Sequence, residues 1–403
     1  MPRDGFPMTD RNVTLDTHSP PTGDHQARAT RAQLASAQRL VVKIGSNVLV
    51  EPKTGLVEAA LHHLVAQCRA LREAGRTVVI VSSGAVACGM TQLRAHRLPL
   101  GKDLSFKQAA AAIGQPLLMR YYEQAFAPTP VAQVLLTYDD ARDRERFLNA
   151  RHTLRTLLTL GVVPIINEND TVATAEIKFG DNDFLSALVA NILDADLLVL
   201  LSDVDGLFDR DPKRHATARR LSFVPEVDAA TLALASGSTS SLGTGGMSSK
   251  LTAAQTAARF GVTTVIVNGR TPDILPRVVA GEDLGTLFPP MTTALGGRKR
   301  WIANLRPKGA ITLDAGAVRA VATQGKSVLP SGIVRVEGRF AAGDVIACRD
   351  EQGREVARGL TSYSADEITD IRGLRSAEIA ERLGFRAHDE VIHRDDLALT
   401  GDR

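Results

Sequence analysis

The chain has 403 residues, 44% of them hydrophobic, which is enough for two or three domains and a sizeable core. Its 48 basic and 45 acidic residues leave a net charge of +3, so charge alone makes no strong case for nucleic acid or a membrane surface as a partner. Three cysteines, Cys68, Cys88 and Cys348, stand far apart without a CxxC spacing, which argues against a disulfide framework and a zinc site and for a reducing, cytoplasmic setting.

Residues 1–37 are rich in Pro, Thr, Asp and Gly and hold no apolar run long enough for a signal peptide, so a disordered extension is expected there. No stretch approaches the roughly twenty apolar residues of a membrane span, and a soluble protein is expected. From Leu40 onward, short β-branched runs alternate with Ala- and Leu-rich helical segments. The runs are "RLVVKIGSNVLV", "TVVIVSSGAV", "VAQVLLTY", "VVPIINEND", "DLLVLLSDVDG" and "VTTVIVNG". Strands that are apolar throughout and alternate with helices imply an α/β fold, a three-layer αβα sandwich around a mainly parallel sheet, here over residues 38–285. Residues 286–308 mix Pro, Gly and Thr with the basic cluster Arg298, Lys299 and Arg300 and read as a linker. Short alternating strands and glycine turns over 309–386 predict a small β-barrel-like module, with 387–403 as a tail.

Ligands of such sheets bind at the carboxyl ends of the strands. Polar and glycine-rich clusters gather there: Lys43, Gly45 and Ser46 after the first run, Ser82, Ser83 and Gly84 after the second, Asn167 to Asp170 after the fourth, Ser202 and Asp203 after the fifth. Lys43 interrupts an otherwise apolar strand, so its ammonium either snorkels to water or meets an anion. The loop "SLGTGGMSSKL" fails the Walker A spacing because Ser249 precedes Lys250, and it fails the dinucleotide fingerprint too. It suits backbone and lysine contacts to phosphates, and a plain linker would have the same composition. In "EIKFGDNDFLSALVAN", Asp181, Asn182 and Asp183 precede a helical run; capping needs one such residue, not three.

The segments "VVKIGSNVL", "VIVSSGAVACG", "RDRERFLNARHTL", "VPIINENDTVATAEIKFGDNDFLSALVA", "LLSDVDGLF" and "SLGTGGMSSK" resemble the glutamate 5-kinase family of the amino-acid kinase superfamily, from about Leu40 to the C-terminus. The family's "TSGA" reads "SSGA" here, a minor departure. The resemblance implies ATP- and Mg²⁺-dependent phosphorylation of the γ-carboxylate of L-glutamate, the first committed step toward proline. It implies Lys43 and Lys250 as cations bracketing the transferred group, with Asp183, and Asp181 beside it, holding those lysines or helping to bind Mg²⁺. Ser83, Asp170 and Asn182 take the place of glutamate contacts. The ATP site takes Lys43, Ser202, Asp203 and the loop Thr244, Gly245, Gly246, Met247, Ser248, Ser249 and Lys250. Feedback by proline would act through "TVATAEIKFG" and Glu176. A homo-oligomer and a glutamyl phosphate reductase partner go with the family, and other carboxylate or carbamate kinases of the superfamily form the alternative.

The C-terminal module resembles a PUA domain, which is associated with RNA-modifying enzymes. Residues 309–403 carry 13 Lys or Arg against 16 Asp or Glu, and an acidic module starts at a disadvantage for phosphate binding, so RNA is not the expected partner.

Overall fold

A computed structural model describes residues 22–51, 55–101, 103–142, 144–173, 182–212, 214–235, 246–291, 299, 302–303, 305–386 and 388–400. The first sheet holds β1 (Arg39–Ile44), β4 (Thr77–Ser82), β5 (Val131–Leu136), β6 (Val163–Glu168), β7 (Leu197–Ser202), β8 (Thr263–Asn268) and β9 (Thr286–Phe288); a hairpin of β2 (Val50–Glu51) and β3 (Gly55–Leu56) stands apart. The strand order is β5-β6-β4-β1-β7-β8-β9, parallel except for the antiparallel edge pair β8 and β9.

The strands are apolar on both faces because helices cover both. Leu40, Val42, Ile80, Ile165 and Val199 pack against helices Glu58–Glu73 and Leu104–Phe126 through Leu61, Leu64, Leu118 and Tyr122. Val41, Val79, Val81, Leu198 and Leu200 face helices Arg144–Thr159, Asn182–Ile192 and Met247–Arg259 through Leu154, Leu185, Val189 and Leu251. Helices Ala85–Ala95 and Leu104–Phe126 lie almost backbone to backbone, since a Cβ at Gly114 would strike the Ala85 carbonyl and one at Gly89 the Ala110 carbonyl.

A second sheet, in order β11-β10-β12-β13-β14, is built from β10 (Gly309–Leu313), β11 (Ile333–Gly338), β12 (Val345–Arg349), β13 (Glu355–Leu360) and β14 (Leu397–Leu399). It has its own core of Ile311, Val321, Ile346, Tyr363, Ile368 and Ile392.

Three boundaries differ from the sequence reading. Helix Thr22–Gln33 and the turn Leu34–Ser36 lie inside the stretch expected to be disordered. They are held by Arg31, which donates to the carbonyls of Glu282 (2.8 Å), Leu284 (3.2 Å) and Ser222 (2.9 Å), and by buried Ala27 and Leu34. β9 falls past the expected end of the first domain at 285, where Thr286 Oγ1 accepts from the Leu207 amide and donates to the Leu221 carbonyl. β14 falls in the expected tail and pairs with β13, while Val391 and Ile392 are fully buried, so the tail completes the second domain.

Candidate active site

β6, β4, β1 and β7 are neighbours, so the four polar strand ends noted in the sequence stand side by side. The chain leaves β1 for β4 on one side and later returns to β7 on the other, which opens a crevice at the carboxyl ends of β1 and β7.

Alternation along β1 puts Lys43 on the face of Val41, in register with Val81 and Leu200, under helix Asn182–Ile192. Its side chain is 3% exposed, so it does not snorkel. The first turn of the overlying helix answers with Asp183, 0% exposed, whose Oδ1 lies 2.5 Å from the Lys43 ammonium. Helix Met247–Arg259 lies beside it and brings in Lys250, whose Nζ is 3.0 Å from Asp183 Oδ2. Ser249 Oγ is 2.8 Å from the same oxygen and 2.8 Å from the Gly246 carbonyl.

Burial pushes the Asp183 carboxyl pKa up, but the Lys43 and Lys250 charges, with hydrogen bonds from Lys43 and Ser249, outweigh burial and hold it below the usual carboxylate range. One buried carboxylate thus serves two nearly buried ammonium groups. The three side chains together carry one net positive charge, which would favour an anion in the crevice.

Beside this ionic centre lies an amide cluster. Asn182 Nδ2 reaches the Ser82 carbonyl (3.1 Å), Ser83 Oγ (3.1 Å) and Asn167 Oδ1 (2.9 Å), and its Oδ1 accepts from the Glu168 amide at 3.3 Å. Ser83 and Asn182, expected on the same substrate, are therefore in direct contact. Asp170 follows β6 in a turn, and no described residue donates to its carboxylate. Burial pushes its carboxyl upward.

On the β7 side, Ser202 Oγ lies 3.3 Å from Asp203 Oδ1, and Asn47 Nδ2 lies 3.1 Å from Asp203 Oδ2. A Cβ on Gly45 would sit 3.1 Å from the Leu201 carbonyl and 3.6 Å from Lys43 Nζ, so the missing side chain keeps space open beside the ammonium. Gly246 caps helix Met247–Arg259; Met247 packs against the core beneath and Ser248 is exposed. Thr244, Gly245, Glu176 and Asp181 lie outside the described residues.

Sequence reading missed Arg270 and Asn268, which join this rim. Arg270 donates to the Asn47 carbonyl at 2.9 Å, and Asn268 Nδ2 to Asp205 Oδ1 at 2.9 Å. The signal was present, because "NGR" at the end of β8 is another polar strand end. Gln115, buried in an Ala-rich helix, carried no such signal.

The model of the amino acid kinase family matches residues 38–268, and that of the PUA domain residues 309–383. A glutamate 5-kinase of Geobacter sulfurreducens is 51% identical over 369 residues, covering 91% of this chain and 98% of that protein. One of Thermus thermophilus is 51% identical over 368 residues, 90% of this chain and 98% of that protein. The chain belongs to the glutamate 5-kinase family. A third relative, the glutamate 5-kinase of Ralstonia nicotianae, is 50% identical over 377 residues and is covered over its full length, with 92% of this chain aligned. The alignments with these glutamate 5-kinases exceed the first domain and extend through the PUA module as well.

Proposed function

We propose that the protein transfers the γ-phosphoryl group of ATP to the γ-carboxylate of L-glutamate, giving L-glutamyl 5-phosphate and ADP, the first step of proline biosynthesis. The observation that carries this reading is Asp183 buried between the ammonium groups of Lys43 and Lys250. A carboxylate nucleophile, with a reference pKa of about 4.3, is already ionised at neutral pH and needs no general base. The remaining difficulty is bringing an anion up to a polyphosphate, and two lysines held at a fixed spacing neutralise charge on the phosphoryl group in flight. Asp183 sets that spacing without itself touching the reacting atoms.

The described residues contain no group of three His, Cys, Asp or Glu side chains that could hold a metal ion. Both oxygens of Asp183 are already engaged by lysines, so it does not fit as a metal ligand. Mg²⁺ entering with the nucleotide would offset the charge of its phosphates. Ser202, Asp203 and residues Gly246 to Lys250 line the nucleotide side; Ser83, Asn182 and Asp170 the amino-acid side. A cytoplasmic homo-oligomer, proline feedback through Glu176 and a glutamyl phosphate reductase partner belong to the same reading.

Hydroxylamine traps acyl phosphates, so an ATP-dependent hydroxamate assay tests the assignment directly. Product with L-glutamate and little with aspartate, N-acetylglutamate or carbamate is expected. Product with another acid and none with glutamate overturns it.

A further inference from the structure

The amide cluster continues away from the crevice into the core. Asn167, 2% exposed at the end of β6, accepts from Asn182 Nδ2 and from the Glu168 amide at 2.9 Å each. Its own Nδ2 donates to Gln115 Oε1 at 2.8 Å. Gln115 is 7% exposed on helix Leu104–Phe126, and its Nε2 has no hydrogen-bond partner among the described residues.

Each amide in this chain has one orientation that avoids placing like groups together. The Glu168 N–H is a donor, so Asn167 must present oxygen to it and hydrogens to Gln115. With Asn167 oxygen on one side and the Ser82 carbonyl on the other, Asn182 must present its hydrogens inward. Its Oδ1 keeps only the long 3.3 Å bond from Glu168 and has acceptor capacity to spare. Ser83 Oγ, 3.1 Å from Asn182 Nδ2, shares the hydrogen directed at the Ser82 carbonyl and keeps its own hydrogen to donate.

We infer that Gln115 is a positioning residue for the amino-acid substrate: acting through Asn167, it fixes the Asn182 and Ser83 pair as one acceptor, suited to an ammonium, and one donor, suited to a carboxylate. The inference deepens the glutamate reading and rests on it. Gln115 touches neither reacting group.

The test is steady-state kinetics of the full chain with glutamate and ATP varied separately. Gln115→Leu removes the acceptor and leaves Asn167 Nδ2 buried without a partner, so the KM for glutamate should rise about 10-fold, the scale of one lost buried hydrogen bond, with the KM for ATP unchanged within about 2-fold. Gln115→Glu keeps an oxygen in the same place and should restore the glutamate KM to within about 3-fold of the parent. In an Asn167→Ala background, Gln115→Leu should have no further effect on the glutamate KM, because the relay is already cut. Equal losses for glutamate and ATP, no rescue by Glu, or a full second loss in the Asn167→Ala background would each overturn the relay. If Gln115→Leu does not fold, the comparison of Gln115→Glu with its parent decides. Failure of the parent protein to phosphorylate glutamate would instead remove the functional reading itself.

Discussion

Helix Asn182–Ile192 carries a carboxylate shared by two cations at each end, and the two arrangements behave differently. At its start, Asp183 is fully buried between Lys43 and Lys250. Just past its end, Asp194 accepts from Arg151 and Arg155 at 3.0 Å each, with its own side chain 30% exposed and Arg155 49% exposed. Asp194 takes φ 51° where helices commonly close with glycine, and the Ala195 amide reaches back to the Ala190 carbonyl at 2.8 Å. Water reaches the Asp194 carboxylate and Arg155, while Arg151 is 8% exposed, and these pairs hold a helix end. Asp183 is 0% exposed, so its charge depends on the two lysines beside it. The same local chemistry is fully buried at one end and partly exposed at the other, and the proposed catalytic role falls to the buried one.

The largest effect should follow from cutting the buried end. Asp183→Asn leaves two ammonium groups near one another with no anion between them, and should lower kcat by about a thousandfold and stability by about 3–5 kcal/mol. Lys250→Met is expected to lower kcat by about a hundredfold or more while leaving the glutamate KM nearly unchanged, because its charge matters most as the phosphoryl group transfers. Hydroxamate kinetics and thermal melts of both variants separate the two. If Asp183→Asn retains turnover within a few-fold, the buried trio is not the catalytic centre.

pH sharpens the contrast within the site. Asp183 has its pKa depressed in the folded state, so the stability it contributes is present above the unfolded carboxylate range and is lost only as pH falls through the lower folded value. No inflection from Asp183 should therefore appear in kcat between roughly pH 5 and 9. Asp170 is shifted the other way by burial: its folded pKa lies above the unfolded one, so it ionises later as pH rises. A substrate ammonium favours the ionised form, and the glutamate KM should climb as pH falls from neutral into the acid range. Asp170→Asn should raise that KM several-fold at neutral pH and flatten its pH dependence, with ATP affinity retained. A KM–pH profile identical in parent and variant would remove Asp170 from the amino-acid side.

How much of this was legible depends on whether a residue's context shows locally. Lys43 in an apolar strand, the strand-end serines and asparagines, and the glycine loop before Lys250 all stood out against their neighbours. Their meeting point could be argued from the parallel-sheet pattern alone. Gln115 could not be found that way, since its importance comes from Gly114 letting two helices close up and from Asn167 lying opposite. Arg31 sits in a polar segment that resembles disordered chain, and partners some two hundred residues away or more, among them the carbonyls of Ser222, Glu282 and Leu284 and the Asp283 carboxylate, give it a place. The strands β9 and β14 have three residues each, too few to show an alternation.

The exposed end should yield the smaller effects. Asp194→Asn keeps a residue that tolerates positive φ and loses one exposed ion pair and one to the buried Arg151, so stability should fall by about 1–2 kcal/mol with kcat unchanged within about 2-fold. A drop in kcat comparable with that of Asp183→Asn would mean the helix transmits strain from end to end, and the contrast between its termini would collapse.

Removal of the second domain probes the same end more broadly and should also leave turnover nearly intact. Arg151, Arg155 and Asp194 form one wall of an interdomain cavity of about 580 Å³, with Thr361, His388 and Glu390 on the other. Leu148 and Gly343 approach closely beside it. The described candidates from Lys43 to Lys250 lie at the carboxyl ends of β1, β4, β6 and β7, or in the first turns of helices Asn182–Ile192 and Met247–Arg259, whereas Asp194 marks the far end of helix Asn182–Ile192. The segment joining the domains goes with the second one: Ile302 packs with Val345, Leu360 and Ala398, and Arg358 donates to the carbonyls of Ala303 and Leu305 at 3.0 Å. A chain ending near Arg298 should therefore keep the first core whole, lose only contacts around Leu148 and the polar wall, and retain kcat within about 3-fold once circular dichroism shows it folded. Lost turnover in a folded, ATP-binding fragment at saturating glutamate and Mg²⁺ would show that the second domain reaches the catalytic centre through the Asp194 end of the helix.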